Sequence, residues 1–331
     1  MASDPSWPSE PAGRYSLSTL LAPAALMRLG IIALVLLGVV SAFAWTAGWL
    51  SPGRLDQVRL IDTFEEVNDA HPGFRRNHAK GVCLVGWFGS NGAGARLSGA
   101  AVFAAGRIPV VGRLSIVGPS PEVADGSEAV RSMALDFTLP DGEAWRTSMN
   151  DLPVFPVKDA QGFYEQLVAL KPDPATGKPD PVRVAAFLSA HPESARAIAL
   201  IKGAPSSSGF ANATYNGLNA FRFVDADGKA TPVRWSMRPV DAFEPEPAET
   251  PREKNYLFDA LTARLRQGPA QWHLILVIGQ PGDPTSDATL PWSADHETID
   301  AGTLTVARRR LEAQIAGVWW TTLVVPSVNA S

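Results

Sequence analysis

The sequence predicts an α+β domain preceded by one N-terminal transmembrane helix. Three observations support this: an uncharged apolar segment near the N-terminus, short apolar runs separated by glycine, proline and aspartate turns, and later segments with helical periodicity. The chain has 331 residues, of which 46% are hydrophobic and 19% charged. Such a chain is long enough to bury a substantial core, so we expect an ordered domain.

The apolar segment covers residues 29–50 and contains no charged residue. At about 1.5 Å rise per residue it spans roughly 33 Å, enough for a bilayer core. A cleaved signal peptide is the alternative, because S-A-F-A at Ser41 resembles a cleavage site, but the apolar run is longer than a usual signal core. We therefore expect a short tail at 1–28, an uncleaved single-pass anchor, and a globular domain that is periplasmic or otherwise extracytoplasmic.

Apolar runs of strand length follow the anchor, and P-D-G and D-A-D-G-K turns separate some of them. These runs begin at Val82, Ala100, Leu114, Met133, Leu218 and Trp272. Helical periodicity appears in residues 160–170, 181–190 and 255–266. The acidic, proline-rich stretch 243–252 is typical of an exposed loop.

Charge and cysteine content exclude two classes of function. The net charge of −4 and the isoelectric point near 5.8 provide no broad basic surface for phosphates, so nucleic acid is not an expected partner. The single cysteine, Cys83, allows no internal disulfide and no cysteine-based metal cluster. The oligomeric state is not predicted.

The motif R-R-N-H-A-K-G, residues 75–81, stands just before the first strand-like run. It resembles the distal haem segment of the catalase superfamily. In that family the histidine stands over the haem iron and moves the protons of a bound peroxide, while the arginine three residues earlier faces a haem propionate. The resemblance assigns these roles to His78 and Arg75 and implies haem as the cofactor.

Further motifs extend the resemblance over about 60–306. R-L-S-I-V-G resembles the segment that places Ser115 beside the distal histidine and Arg113 against a propionate. M-N-D-L-P-V-F resembles the segment that supplies the distal asparagine, which is Asn150, with Asp151 in the other register. By the same resemblance Phe155 would flank the haem.

The resemblance therefore implies a catalase-like antiparallel β-barrel with surrounding helices, spanning 51–306, of the small catalase-related peroxidase type. His78 would act as the proton shuttle, Asn150 as a hydrogen-bond donor to the peroxide, and Ser115 as the group that fixes the imidazole. We expect the imidazole and the carboxamide to converge above a haem enclosed by the barrel. The expected substrates are hydrogen peroxide or an organic hydroperoxide and a small organic electron donor.

The C-terminal segment 307–331 departs from the family pattern. There the family carries an R-x-x-x-Y helix whose phenolate binds the iron from the other face, and no counterpart is present. The tyrosines of the chain are Tyr15, Tyr164, Tyr215 and Tyr256. We accordingly expect a truncated or altered C-terminus, with no protein metal ligand assigned.

Two functions of different classes follow from these features. The first is a membrane-anchored haem peroxidase, with hydroperoxide isomerisation as a related chemistry. The second is a membrane-tethered barrel that is inactive or lacks stable haem because the proximal tyrosine is missing, and that could bind another apolar ligand. Outside the motif, each histidine lacks a metal-ligand spacing and is expected to be structural or exposed; these are His71, His191, His273 and His296.

Overall fold

The structure is a computed structural model that describes residues 23–49, 55–68, 71–126, 129–140, 142–247, 249 and 253–310. Residues 1–22 of the predicted tail and 311–331 of the predicted C-terminal segment lie outside the described residues. The chain divides into two compact units, Met1–Asp56 and Gln57–Ser331.

The first unit contains helix α1, Pro23–Thr46. Its part Leu26–Thr46 is 21 residues long and has a mean hydropathy of 2.4. Length and composition suit a membrane span, and a signal sequence would meet the same criteria.

The second unit is a closed barrel of eight antiparallel strands in sequential order, β1 to β8, with β8 paired back to β1. Helices precede the barrel, follow β4 and follow β6. The strands are β1 (Gly81–Ser90), β2 (Gly106–Ile116), β3 (Arg131–Thr138), β4 (Ala144–Asn150), β5 (Tyr215–Val224), β6 (Ala230–Pro239), β7 (Ala270–Ile278) and β8 (Thr298–Arg310). The helices are α2 (Gln57–Asn68), α3 (Ala160–Ala169), α4 (Pro181–Ala190), α5 (Pro192–Gly203) and α6 (Tyr256–Gln267), with two 3-10 turns at Ala93–Arg96 and Ala101–Phe103.

The closed antiparallel barrel confirms the predicted fold class. One predicted strand is wrong: the run that begins at Ala100 forms the 3-10 turn Ala101–Phe103, in which Val102 and Phe103 are buried. A four-residue apolar run does not distinguish a strand from a buried turn, because both bury the same side chains. Predicted helices 160–170, 181–190 and 255–266 correspond to α3, α4 and α6.

The barrel interior is filled by side chains. Phe88 meets Phe137 edge-on at 5.5 Å between ring centroids, Phe137 lies 4.8 Å from Trp145, and Trp145 lies 5.5 Å from Trp235. These rings come from β1, β3, β4 and β6, so they meet across the barrel. Successive strand residues point to opposite faces, and therefore the alternate residues of each strand lie on the outer wall.

The barrel closes at a tight contact between β1 and β8. The pairing shifts register between Val85 and Gly86, and a Cβ added to Gly86 would lie 2.0 Å from Thr305 O. Backbone oxygen cannot move away without opening the pairing, so only glycine fits here.

We expect Gly86→Ala to lower the free energy of unfolding by about 3 kcal/mol or more, because the methyl group forces β1 and β8 apart. Gly89→Ala is the matched control on the same strand, since its Cβ would meet no atom nearer than Thr303 O at 3.8 Å. Denaturant unfolding of the detergent-solubilised protein measures both. Equal stability of the two variants would contradict the closure argument.

Candidate functional site

His78 has a left-handed backbone, with φ of 55°. Among the residues that the structure describes, no other non-glycine residue has a positive φ. The conformation costs an L-residue with a Cβ roughly 1–2 kcal/mol. Something in the surroundings must therefore hold it.

Two neighbours hold the His78 backbone. Asn77 Oδ1 accepts hydrogen bonds from the backbone N–H groups of His78 and Gly118, at 2.9 and 3.0 Å. Arg113 donates from its two terminal nitrogens to the carbonyls of His78 and Ala79, at 2.8 and 3.2 Å. The guanidinium lies so close to Gly81 that an added Cβ would be 2.4 Å from its Cζ. The H-A-K-G segment is thus fixed to the barrel wall.

The role of Asn77 was not predicted from the sequence. The signal that could have found it is the residue type, because asparagine side chains commonly bond nearby backbone groups in turns. Arg113 was predicted to face a propionate; its two terminal nitrogens donate to backbone carbonyls here, and its role toward a cofactor stays a prediction.

The His78 side chain lies against Ser115. The distance between His78 Nδ1 and Ser115 Oγ is 3.3 Å. Burial, together with the charges of Arg113 and then Arg75, lowers the pKa of His78 to about 4. The ring is therefore neutral near physiological pH, and one of its nitrogens carries a lone pair.

Asn150 lies on the same face of the sheet as Ser115. Ser115 pairs directly with Ser132, and Ser132 pairs directly with Asn150. Directly paired residues share a face, so the three side chains form a row across β2, β3 and β4. Adjacent strands are about 4.8 Å apart, which puts Asn150 roughly 10 Å from Ser115 along the row. We call Ser115, Ser132 and Asn150 the outer polar row.

The outer polar row stands on the outside of the barrel, which corrects the expectation of a haem enclosed by it. Leu114, Met133 and Met149, the sequence neighbours of these residues, belong to the packed interior. Rings and aliphatic side chains already fill that interior, and a flat macrocycle does not fit there. His78, which contacts Ser115, and Asn150 lie on the same face of the sheet, and that face is the outer wall.

The alternative register, with Asp151 as the distal group, does not place a side chain in the row. Asp151 Oδ1 accepts from the backbone N–H of Arg131 at 3.0 Å, and Oδ2 lies 3.5 Å from an Arg131 terminal nitrogen. Asp151 thus points toward the end of the barrel, where Arg131 is fully buried.

Arg75 lines a cleft of about 320 Å³ next to the motif. The remaining lining residues are Phe64, Glu65, His71, Pro72, Gly73, Phe74, Arg76 and Pro119. Phe64 packs on Phe163 with 5.7 Å between centroids, and Phe163 lies 6.1 Å from Phe155. A wall of aromatic rings therefore connects the predicted residues Arg75 and Phe155.

A buried ion pair attaches the other end of the motif to helix α6. Lys80 Nζ lies 2.6 Å from Asp125 Oδ1, and Asp125 Oδ2 accepts from the backbone N–H of Leu257 at 2.8 Å. Lys80 also donates to the carbonyl of Lys254 at 2.9 Å. No local pattern in the sequence indicates this pair, because its members lie 45 residues apart.

The three described tyrosines have partners away from the outer polar row. Tyr164 OH accepts from Arg59 at 3.1 Å, Tyr215 OH donates to the carbonyl of Phe210 at 2.8 Å, and Tyr256 OH donates to Glu246 at 2.7 Å. Tyr215 is fully buried inside the barrel. Each described tyrosine hydroxyl is therefore already hydrogen-bonded to a group outside the row.

The remaining histidines make local contacts. His191 lies between Glu165 and Glu193, His273 pairs with Asp300, and His296 pairs with Asp283. His71 lines the cleft beside Arg75. Among the described residues no group of three or more histidine, cysteine, aspartate or glutamate side chains is arranged to hold a metal ion.

Comparison with known proteins identifies relatives that all belong to the catalase family. The family model described as Catalase matches residues 41–265. A catalase-related peroxidase of Synechococcus elongatus is 34% identical over 267 residues, covering 79% of this chain and 77% of that protein. A catalase-related peroxidase of Mycolicibacterium paratuberculosis is 33% identical over 270 residues, covering 80% and 84%.

Solved catalases share the fold. A bacterial catalase superposes with a TM-score of 0.64 at 21% identity, covering 77% of this chain and 52% of its own. Catalase A from Saccharomyces cerevisiae gives a TM-score of 0.65 at 18% identity, covering 78% and 56%. This chain thus spans about half the length of these solved catalases. The predicted resemblance to the catalase superfamily is confirmed at the level of the family, and the chain belongs to the catalase family.

Proposed function

We propose that the chain is a haem-dependent peroxidase that reduces hydrogen peroxide or organic hydroperoxides with a small organic electron donor. One observation carries the proposal: the partly buried His78 rests on Ser115 and shares the outer barrel wall with Asn150. Membership of the family supports haem as the cofactor.

The distal side of the site fits a haem. Ser132 Oγ, between Ser115 and Asn150, is buried without a hydrogen-bond partner, so the row holds an unused polar group. Arg75 and Arg113 would hold the propionates, since a planar guanidinium matches a carboxylate. Phe155, backed by Phe163, would pack on the macrocycle. When bound, haem supplies the redox chemistry that cleaves the peroxide O–O bond.

His78 moves the protons of the peroxide in this proposal. With Nδ1–H donating to Ser115 Oγ, Nε2 has a lone pair and accepts the peroxide proton. It then returns that proton to the departing oxygen. The low pKa keeps the ring neutral and ready to accept across the physiological range, while Ser115 fixes its angle.

Asn150 donates a hydrogen bond to a peroxide oxygen in this proposal. Its Oδ1 accepts from the backbone N–H of Leu152 at 3.1 Å, which leaves the side-chain NH₂ as the group available for donation. A neutral donor stabilises the polarised O–O bond without adding charge to a buried site.

The tyrosine positions favour a second candidate, a membrane-tethered barrel that does not retain haem. Each described tyrosine has another partner, so the described part of the chain supplies no phenolate on the far side of a haem bound at the row. This candidate predicts that added haem keeps its free spectrum and that peroxide is not consumed.

The test is to add haem to the detergent-solubilised protein and record its spectrum and its peroxide consumption. We expect a Soret band shifted from that of free haem and donor-dependent reduction of peroxide. His78→Ala should retain the shifted band and lose about 10²-fold or more of the rate, because the proton shuttle is gone. His273→Ala, an exposed change on β7, is the control and should keep the rate. A spectrum identical to free haem would support the second candidate instead.

The low pKa of His78 also predicts a stability difference. The folded-state pKa of about 4 lies below the unfolded value of 6.5, so the unfolded chain binds more protons in that window. Wild-type stability should therefore fall as the pH decreases from about 6.5 to 4, by up to roughly 3 kcal/mol for this group. His78→Gln should lack this component. Denaturant unfolding at several pH values measures the difference, and parallel curves would contradict a buried neutral histidine.

Membrane attachment through residues 29–50 is part of the proposal, with the globular domain outside the cytoplasm. We expect the protein in the membrane fraction, released by detergent and not by high salt, because the apolar helix is held by the hydrocarbon core. The intact mass should include the anchor. A mass equal to that of a chain beginning after Ala44 would show that the segment is a cleaved signal peptide.

A further inference from the structure

A second charged cluster closes the end of the barrel next to Asn150. Arg131 is fully buried, and its guanidinium lies 3.5 Å from Asp151 Oδ2 and 2.5 Å from Glu246 Oε2. Tyr256, the first residue of α6, donates to the other oxygen of Glu246 at 2.7 Å. The stretch 243–252, expected to be an exposed loop, thus contributes a buried carboxylate to this cluster.

Reciprocal backbone contacts link this cluster to the end of β4. The N–H of Asp151 donates to the carbonyl of Arg131 at 3.0 Å, and the N–H of Arg131 donates to the Asp151 side chain at 3.0 Å. Asp151 directly follows Asn150, whose side chain points to the opposite face of the sheet. Fixing Asp151 therefore fixes the backbone from which Asn150 projects.

The region needs such an anchor because β4 and β5 pair weakly. A single residue pair, Asn150 with Asn216, joins the two strands. The side chain of Asn216 donates to the carbonyl of Leu152 at 3.0 Å, and the N–H of Leu152 donates to Asn150 Oδ1 at 3.1 Å. With so few strand contacts, the hydrogen bonds and the ion pair between Asp151 and Arg131 are a major constraint on residues 150–152.

We propose that Asp151, paired with the buried Arg131, is the positioning residue that holds Asn150 toward the outer polar row, and that its ionisation controls this placement. The inference rests on the proposed function for the purpose of Asn150, while the positioning itself stands on the contacts above. Ionised Asp151 attracts Arg131 and tightens the turn. When Asp151 is protonated, it no longer attracts Arg131, which then pairs with Glu246 alone. The turn that carries Asn150 is then released.

The charges around Asp151 are consistent with such control. Burial raises the pKa of Asp151 to about 6, although Arg131 opposes the rise. The other titratable groups that face the cluster are Glu246 from the loop after β6, Tyr215 from β5, Tyr256 from α6 and Asp125 from the loop after β2. Burial raises the pKa of Tyr215 and of Tyr256, so both stay neutral when Asp151 titrates. Asp151 is thus a group of the cluster whose charge changes near pH 6.

Hydrogen exchange of the Leu152 amide tests the inference without haem or peroxide, because that amide binds the Asn150 side chain. Exchange is measured on the full chain in detergent, and each rate is divided by the intrinsic rate at that pH. In the wild type we expect Leu152 protection to fall about tenfold or more between pH 7.5 and 5. In Asp151→Asn, which keeps the shape and an acceptor oxygen, protection should already be low at pH 7.5 and should not change with pH.

Asp241→Asn is the matched control. Asp241 forms a two-point pair with Arg264, at 2.6 and 2.8 Å, far along the chain from Asn150. This variant should keep the wild-type pH step at Leu152. Protection at Leu152 that is independent of pH in the wild type would overturn the inference, and this measurement needs no variant to fold.

The outcome is separable from that of the proposed function. A normal pH step at Leu152 in a protein that never binds haem would leave the positioning role intact and contradict the peroxidase proposal. Haem binding and peroxide turnover with no pH step at Leu152 would support the peroxidase proposal and contradict the positioning role of Asp151.

Discussion

The left-handed backbone of His78 is the constraint on which the site depends. This conformation aims the imidazole at Ser115 on the barrel wall, and it is maintained by Asn77 on one side and Arg113 on the other. The arginine approaches so closely that a side chain at position 81 would displace its guanidinium. The R-R-N-H-A-K-G motif therefore specifies the shape of the backbone at His78 as well as the identity of its side chain.

Two buried ionic contacts connect the site to the same structural element. Lys80 and Asp125 attach the His78 segment to the start of α6, and Arg131 with Glu246 attaches the Asn150 turn to Tyr256 of that helix. Buried ion pairs contribute little net stability. They specify one arrangement, because removing either partner leaves the other charge buried and unpaired. The N-terminal turn of α6 thus serves as a common support for two segments that are distant in sequence.

Much of the fold could be predicted from the sequence. Short apolar runs bounded by turn residues predicted several strands, and the segments that became α3, α4 and α6 carried helical periodicity. The run at Ala100 failed because four apolar residues fit a buried 3-10 turn equally well. Candidate residues His78, Ser115, Arg75, Arg113, Asn150 and Phe155 came from motif resemblance. Their functional roles remain predictions, while Asn77, Lys80 and Asp125 were missed because only long-range contacts identify them.

The sequence by itself determined the apolar helix, the short apolar runs of several barrel strands and the family motif, because each is a local property of the chain. Tertiary structure decided which wall of the barrel carries the site. The sequence allowed a pocket inside the barrel, yet eight strands enclose a space that their own side chains fill, so Ser115 and Asn150 lie on the outer wall. Strand pairing, which joins residues far apart in sequence, also chose Asn150 over Asp151 for that wall, since a one-residue shift exchanges the two faces.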